Sequence, residues 1–89
     1  MIICKRVYYS GSVQGVGFRY TAQGLASSFA VAGSVRNLPD GRVELVAEGA
    51  ADQVDGFLAA LARRMTGYVE ETAVSEQTPG GLTGFRIRH

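Results

Sequence analysis

Residues Ser12-Val13-Gln14-Gly15-Val16-Gly17-Phe18-Arg19 set two glycines and an arginine between a strand-like run and a helix-like run. Successive backbone N–H groups in such a turn can converge on an anion. The helix that follows adds its free first-turn donors and the positive end of its dipole. No Ser, Thr, Asp or Asn stands immediately before the expected helix start at Phe18, so no side chain is offered to those donors. Arg19 falls in the first turn, where a cation opposes the macrodipole. Unclaimed donors beside an unfavourably placed arginine make sense if an anion completes the structure. The pattern therefore predicts an anion-binding loop made by Gln14, Gly15, Val16, Gly17, Phe18 and Arg19.

Two nucleotide-binding patterns fail here. The third glycine of a dinucleotide fingerprint would fall on Tyr20, and the Gly-Lys-Ser/Thr of a phosphate loop is absent. Arg19 in isolation would read as a solvated charge, and Asn37 as a polar residue flanking a hairpin. Asp40 is explained by its turn with Gly41, and His89 by chain-end position. Cys4, the only cysteine, reads as a small strand residue; with one His and one Cys there is no internal disulfide and no zinc-type cluster.

The surrounding elements must place the loop. Residues 2–11 are rich in β-branched and aromatic types and read as a strand. Phe18, Ala22, Leu25, Ala26 and Phe29 share one face of a helix that ends before Gly33. Gly24 in that helix costs up to about 1 kcal/mol relative to Ala, which close packing on a sheet would justify. Residues 34–38 and 42–48 flank Pro39-Asp40-Gly41, the clearest hairpin signal in the chain. Val43, Leu45 and Ala47 face one way, and Arg42, Glu44 and Glu48 the other, so one face of the sheet is expected to be buried and the other wet. Val54, Phe57, Leu58, Leu61 and Met65 form a second amphipathic face, with Asp52 near its start and Arg63 and Arg64 near its end. Residues 68–77 read as a strand near an edge, Pro79-Gly80-Gly81 as a loop, and residues 84–88 as a final short strand. The order β-α-β-β-α-β plus a short β predicts an α+β, ferredoxin-like split β-α-β sandwich: an antiparallel sheet with two helices on one face. Strands one and three are expected centrally and strand two at an edge, with the first loop and the second strand meeting at one end of the sheet.

Composition narrows the function classes. The 89 residues make one small domain, 1–89, with a single modest core. Hydrophobic content of 46% and charged content of 19% describe a globular chain, and a net charge of +1 gives no general case for nucleic acid or a membrane surface. No run approaches the roughly 20 apolar residues of a membrane span. The N-terminus meets charge too early for a secretory signal.

Gly11 to Arg19, followed by Val35-Arg36-Asn37 and Asp40-Gly41-Arg42-Val43-Glu44 and closed by Phe85-Arg86-Ile87-Arg88, resembles the acylphosphatase family over essentially the whole chain. The resemblance implies hydrolysis of the mixed anhydride of a carboxylic acid and phosphate, with no metal, no cofactor and no covalent intermediate. By position it implies that Arg19 and the loop amides hold the phosphate and that Asn37 orients the attacking water. The chemistry of the groups agrees. Phosphoryl transfer needs in-line positioning and stabilised equatorial oxygens, which a planar guanidinium and preorganised amides supply. A carboxamide can accept from water and donate to a phosphate oxygen, but it cannot take the proton at neutral pH; the route that the resemblance implies passes the proton to the substrate's own phosphate. The implied partner is a small acyl phosphate, with phosphate as product and neither nucleic acid nor membrane involved; a cytoplasmic monomer is expected. Ser34 stands where the family often has a bulky residue, and residues 63–67 lack its frequent Gly-Pro. Two other readings remain open: an anion-binding module without turnover, and an accessory domain of a larger maturation protein. A chain that starts at Met1 and closes directly after its last strand favours an independent protein over the latter. A nucleic-acid role would use Tyr8 and Tyr9 on the first strand, against the balanced charge.

Overall fold

In the computed structural model, which covers residues 1–89, the chain runs β1 (Ile2–Gly11), α1 (Phe18–Ala26), β2 (Val31–Asn37), β3 (Val43–Ala50), α2 (Ala51–Arg64), β4 (Val69–Gln77) and β5 (Phe85–Arg88). The strands form one sheet in the order β4-β1-β3-β2-β5. Val7, Tyr9, Val35, Val43, Leu45 and Ala47 project from one face and share a core with Ala22 and Ala26 of α1 and Val54, Phe57 and Leu61 of α2. Both helices therefore lie on one face, as the ferredoxin-like pattern requires. Strands β1 and β3 are central, β4 is an edge, and no helix is long and apolar enough to cross a membrane.

Strand β2 is not an edge. Strand β5 pairs with it in parallel, Gly33 to Arg36 opposite Phe85 to Arg88, so the sheet is mixed and not wholly antiparallel. A bare β2 would present a row of unpaired backbone groups, and four residues of β5 cover it. The alternation of β5 decides which side it serves: Phe85 and Ile87 pack against the core, where the Phe85 ring lies 5.5 Å from that of Phe57.

Helix α1 stops at Ala26, short of the expected reach to Phe29. The Ser27 hydroxyl donates to the Gly24 carbonyl at 2.6 Å, and Ser28 and Phe29 close tighter i−3 bonds to Leu25 and Ala26. Phe29 still packs inward, 6.2 Å from the Phe57 ring. A side chain at Gly24 would meet nothing within 4 Å, so the expected close packing of that glycine on the sheet does not occur.

The face away from the helices is not simply wet. Glu44 is only 7% exposed and Glu48 only 5%. Glu44 accepts from Arg36 Nε at 2.8 Å and from the Tyr8 hydroxyl at 3.1 Å. Burial pushes its carboxyl up, but those hydrogen bonds and the charges of Arg36 and Arg6 more than offset this and hold it below the usual value. Glu48 accepts from the backbone N–H groups of Gly80 and Leu82 at 2.6 and 2.8 Å, which fastens the loop before β5 and lowers its pKa.

Candidate active site

The glycine loop follows from its backbone. Gly15 and Gly17 both adopt φ +78°, and Gly17 is the N-cap of α1 in the left-handed region, where a side chain would be strained. Val13, fully buried, pins the loop to the core, and Phe18 packs its ring 4.8 Å from that of Tyr9. The Gln14 amide donates to the Leu38 and Arg42 carbonyls at 2.8 and 3.0 Å and ties the loop to the β2–β3 hairpin. Across that hairpin Asp40 accepts from the Arg42 backbone and guanidinium at 3.1 and 2.8 Å, the turn role expected of it.

This bracing leaves the loop's own donors unclaimed. No backbone N–H from Val13 to Gly17 has a backbone or side-chain acceptor in the protein, and the first bond of α1 is from Thr21 N–H to the Gly17 carbonyl. The N-cap makes no side-chain hydrogen bond, and no acidic residue stands in the first turn. Arg19 lacks a carboxylate partner; its Nη1 lies 3.5 Å from Nδ1 of His89. Each of the nine acyclic cations other than Arg19, Arg63, Arg64, Arg86 and Arg88 has such a partner.

Gly15, Gly17, Phe18 and Arg19 line one cavity of about 170 Å³ together with Val13, Tyr20 and Asn37. Asn37, the last residue of β2, reaches it because odd-numbered positions of that strand face the helix side, as Val35 does in the core. The loop and the second strand thus meet at one end of the sheet, as the topology predicted. Of the expected site residues, Gln14 and Val16 do not line the cavity: Gln14 braces the loop from outside, and Val16 is exposed. The bracing by Gln14, the anchoring by Val13 and the approach of His89 to Arg19 were not read from the sequence. An amide side chain flanked by glycines was the one available signal for the first; nothing local marks the last, since it joins opposite ends of the chain.

Fold and pocket together define a small α+β sandwich with a pocket at a helix start, lined by Arg19, Asn37 and the glycine loop. The model of the acylphosphatase family matches residues 5–87. An acylphosphatase of Trichormus variabilis is 44% identical over 88 residues, spanning 98% of this chain and 87% of the relative. One from Methylococcus capsulatus is 52% identical over 91 residues, spanning 93% and 95%. The crystal structure of acylphosphatase from Bacillus subtilis superposes with a TM-score of 0.90 at 36% identity, covering all of both chains. The chain belongs to the acylphosphatase family.

Proposed function

We propose that this chain hydrolyses the carboxyl–phosphate anhydride of acyl phosphates in the cavity between the glycine loop and Asn37. The observation that carries the reading is that Arg19 and Asn37, from separate elements, line one small cavity with a stretch of unclaimed backbone N–H groups. In this reading the amides of the loop residues that line the cavity, Gly15, Gly17, Phe18 and Arg19, and the Arg19 guanidinium hold the phosphoryl oxygens. Their charge stabilisation is preorganised, so little reorganisation is needed as the transition state forms. Arg19, with no carboxylate to neutralise it, offers its full charge to the dianion. The Asn37 carboxamide accepts a hydrogen bond from water through Oδ1 and donates through Nδ2 to a phosphoryl oxygen, setting the water in line with the departing carboxylate. Water's oxygen bonds to phosphorus, the P–O bond to the acyl group breaks, the carboxylate leaves with the electron pair, and the proton goes to phosphate. A carboxylate is a good leaving group, so no strong general acid is required.

The cavity is small, and its polar groups address the phosphate; broad tolerance of the acyl group follows. The same proposal has residues 1–89 act as one monomeric domain, in the cytoplasm, on a diffusing small molecule; the unpaired, buried Cys4 thiol suits a reducing compartment. The first strand gives nucleic acid little to stack on: the Tyr9 ring is buried in the core, and the Tyr8 ring is covered by Arg42 at 4.6 Å. The test is turnover of benzoyl phosphate with EDTA present. Rapid hydrolysis, inhibited competitively by inorganic phosphate, is expected. A folded protein that binds phosphate without turning over the substrate would make this an anion-binding module, and inhibition that is not competitive would move the reaction to another site.

A further inference from the structure

Four of the nine cationic side chains, Lys5, Arg6, Arg36 and Arg42, have a carboxylate within 4.0 Å. Arg19 faces the cavity described above, and Arg63 and Arg64 sit in the last turn of α2, where the dipole favours them. Arg86 and Arg88 have no such employment: both are exposed, with no ion pair and no side-chain hydrogen bond. They project from the same face of β5, about 7 Å apart along the strand. In register, Arg86 lies opposite Ser34, and Arg88 lies opposite Arg36. Like charges directly opposite one another destabilise a strand pair. Glu44, the carboxylate paired with Arg36, is already bonded by Arg36 and Tyr8.

Arg86 and Arg88 line a cavity of about 390 Å³ bordered by the loop before β5, with the hydroxyl-bearing Ser34 and Thr83 and one apolar residue, Leu82. No carboxylate lines it. Glu48 is not among its lining residues; its carboxylate accepts from the Gly80 and Leu82 amides and holds that wall in place. We propose that this cavity is a second anion site, separate from the Arg19 pocket, that takes a small multivalent phosphate. One phosphoryl group sits on each guanidinium, and the Ser34 and Thr83 hydroxyls donate to the oxygens between. Such a ligand relieves the Arg36–Arg88 repulsion in the way that a substrate phosphate satisfies Arg19. A single-stranded polynucleotide is the poorer fit, because the one aromatic on this face, Tyr8, has its ring covered by Arg42 and its hydroxyl bonded to Glu44.

The probe is inorganic pyrophosphate, titrated calorimetrically into the whole chain at fixed ionic strength. The wild type is expected to take up two equivalents, and Arg19→Ala and the double variant Arg86→Gln/Arg88→Gln one each. Combining all three substitutions should weaken the remaining binding by about tenfold or more. Turnover of benzoyl phosphate by Arg86→Gln/Arg88→Gln should stay within about twofold of wild type, since neither side chain lines the Arg19 cavity. One equivalent in the wild type, lost with Arg19→Ala, overturns the proposal. So does binding that ignores the Arg86 and Arg88 substitutions. A single-stranded oligonucleotide that binds this face far more tightly than pyrophosphate would replace the small-anion site with a polynucleotide surface.

Discussion

The two helices start alike and are finished differently. Neither α1 nor α2 has a side-chain cap at its N-terminus. Helix α2 compensates by charge, with Asp52 in its first turn and Arg63 and Arg64 in its last, each complementary to the dipole. Helix α1 has no acid in its first turn and no base in its last, and it places Arg19 where the dipole is already positive. Its preceding loop is left-handed at Gly15 and Gly17 and offers its amides to no protein acceptor. One helix is complete by itself; the other leaves its start open, to be completed by an anion in the proposed function. Local stability has been given up at one end of α1, and that end is where Asn37 arrives.

The contrast can be broken most severely at Arg19. Arg19→Ala should lower kcat/KM for benzoyl phosphate by about a thousandfold or more while leaving the fold intact, measured by steady-state kinetics and circular dichroism. Asn37→Ala should lower kcat by about a hundredfold with phosphate inhibition changed only a few-fold, because it removes water positioning and not the anion's main holders. An unchanged rate at saturating substrate would remove Asn37 from the mechanism.

Smaller effects sharpen the comparison through stability. Glu44 has a folded pKa held below its unfolded value, so its contribution is full above about pH 4.3 and is lost as pH falls through the lowered value. Denaturant titrations should show stability declining in that acid window, and Glu44→Gln should flatten the decline. The helices also differ at their glycines. A Cβ at Gly24 of α1 meets open space, whereas one at Gly56 of α2 would stand 2.9 Å from the Phe29 ring. Gly24→Ala should stabilise by up to about 1 kcal/mol, and Gly56→Ala should fall about 1–3 kcal/mol below it in thermal unfolding.

Much of this was legible in the residues. Helical spacing in Val54, Phe57, Leu58 and Leu61 and the Pro39-Asp40-Gly41 turn are local signals, and the elements stand where those signals put them. The glycine loop and Arg19 were readable because each breaks a local rule, and the breaks coincide. Three things were hidden for a common reason: they are settled by distant partners. Alternation in residues 84–88 shows a strand but not which edge it joins, so from the residues alone β2 reads as an edge. Glu44 and Glu48 look solvent-facing by alternation; their cover comes from Arg36, Tyr8 and the loop at Gly80 to Leu82. Gln14 braces a hairpin that is separate from it in sequence.

The most direct test compares the two helix starts in one experiment. Inorganic phosphate would be titrated into the protein while the backbone amide resonances of Gly15 to Tyr20 and of Ala51 to Gln53 are followed by NMR. The account requires large, saturating shifts at the α1 start, with a dissociation constant equal to the inhibition constant for benzoyl phosphate hydrolysis, and little change at the α2 start. Inhibition by phosphate without movement of the Gly15 to Tyr20 amides, or equal movement at both helix starts, would contradict it.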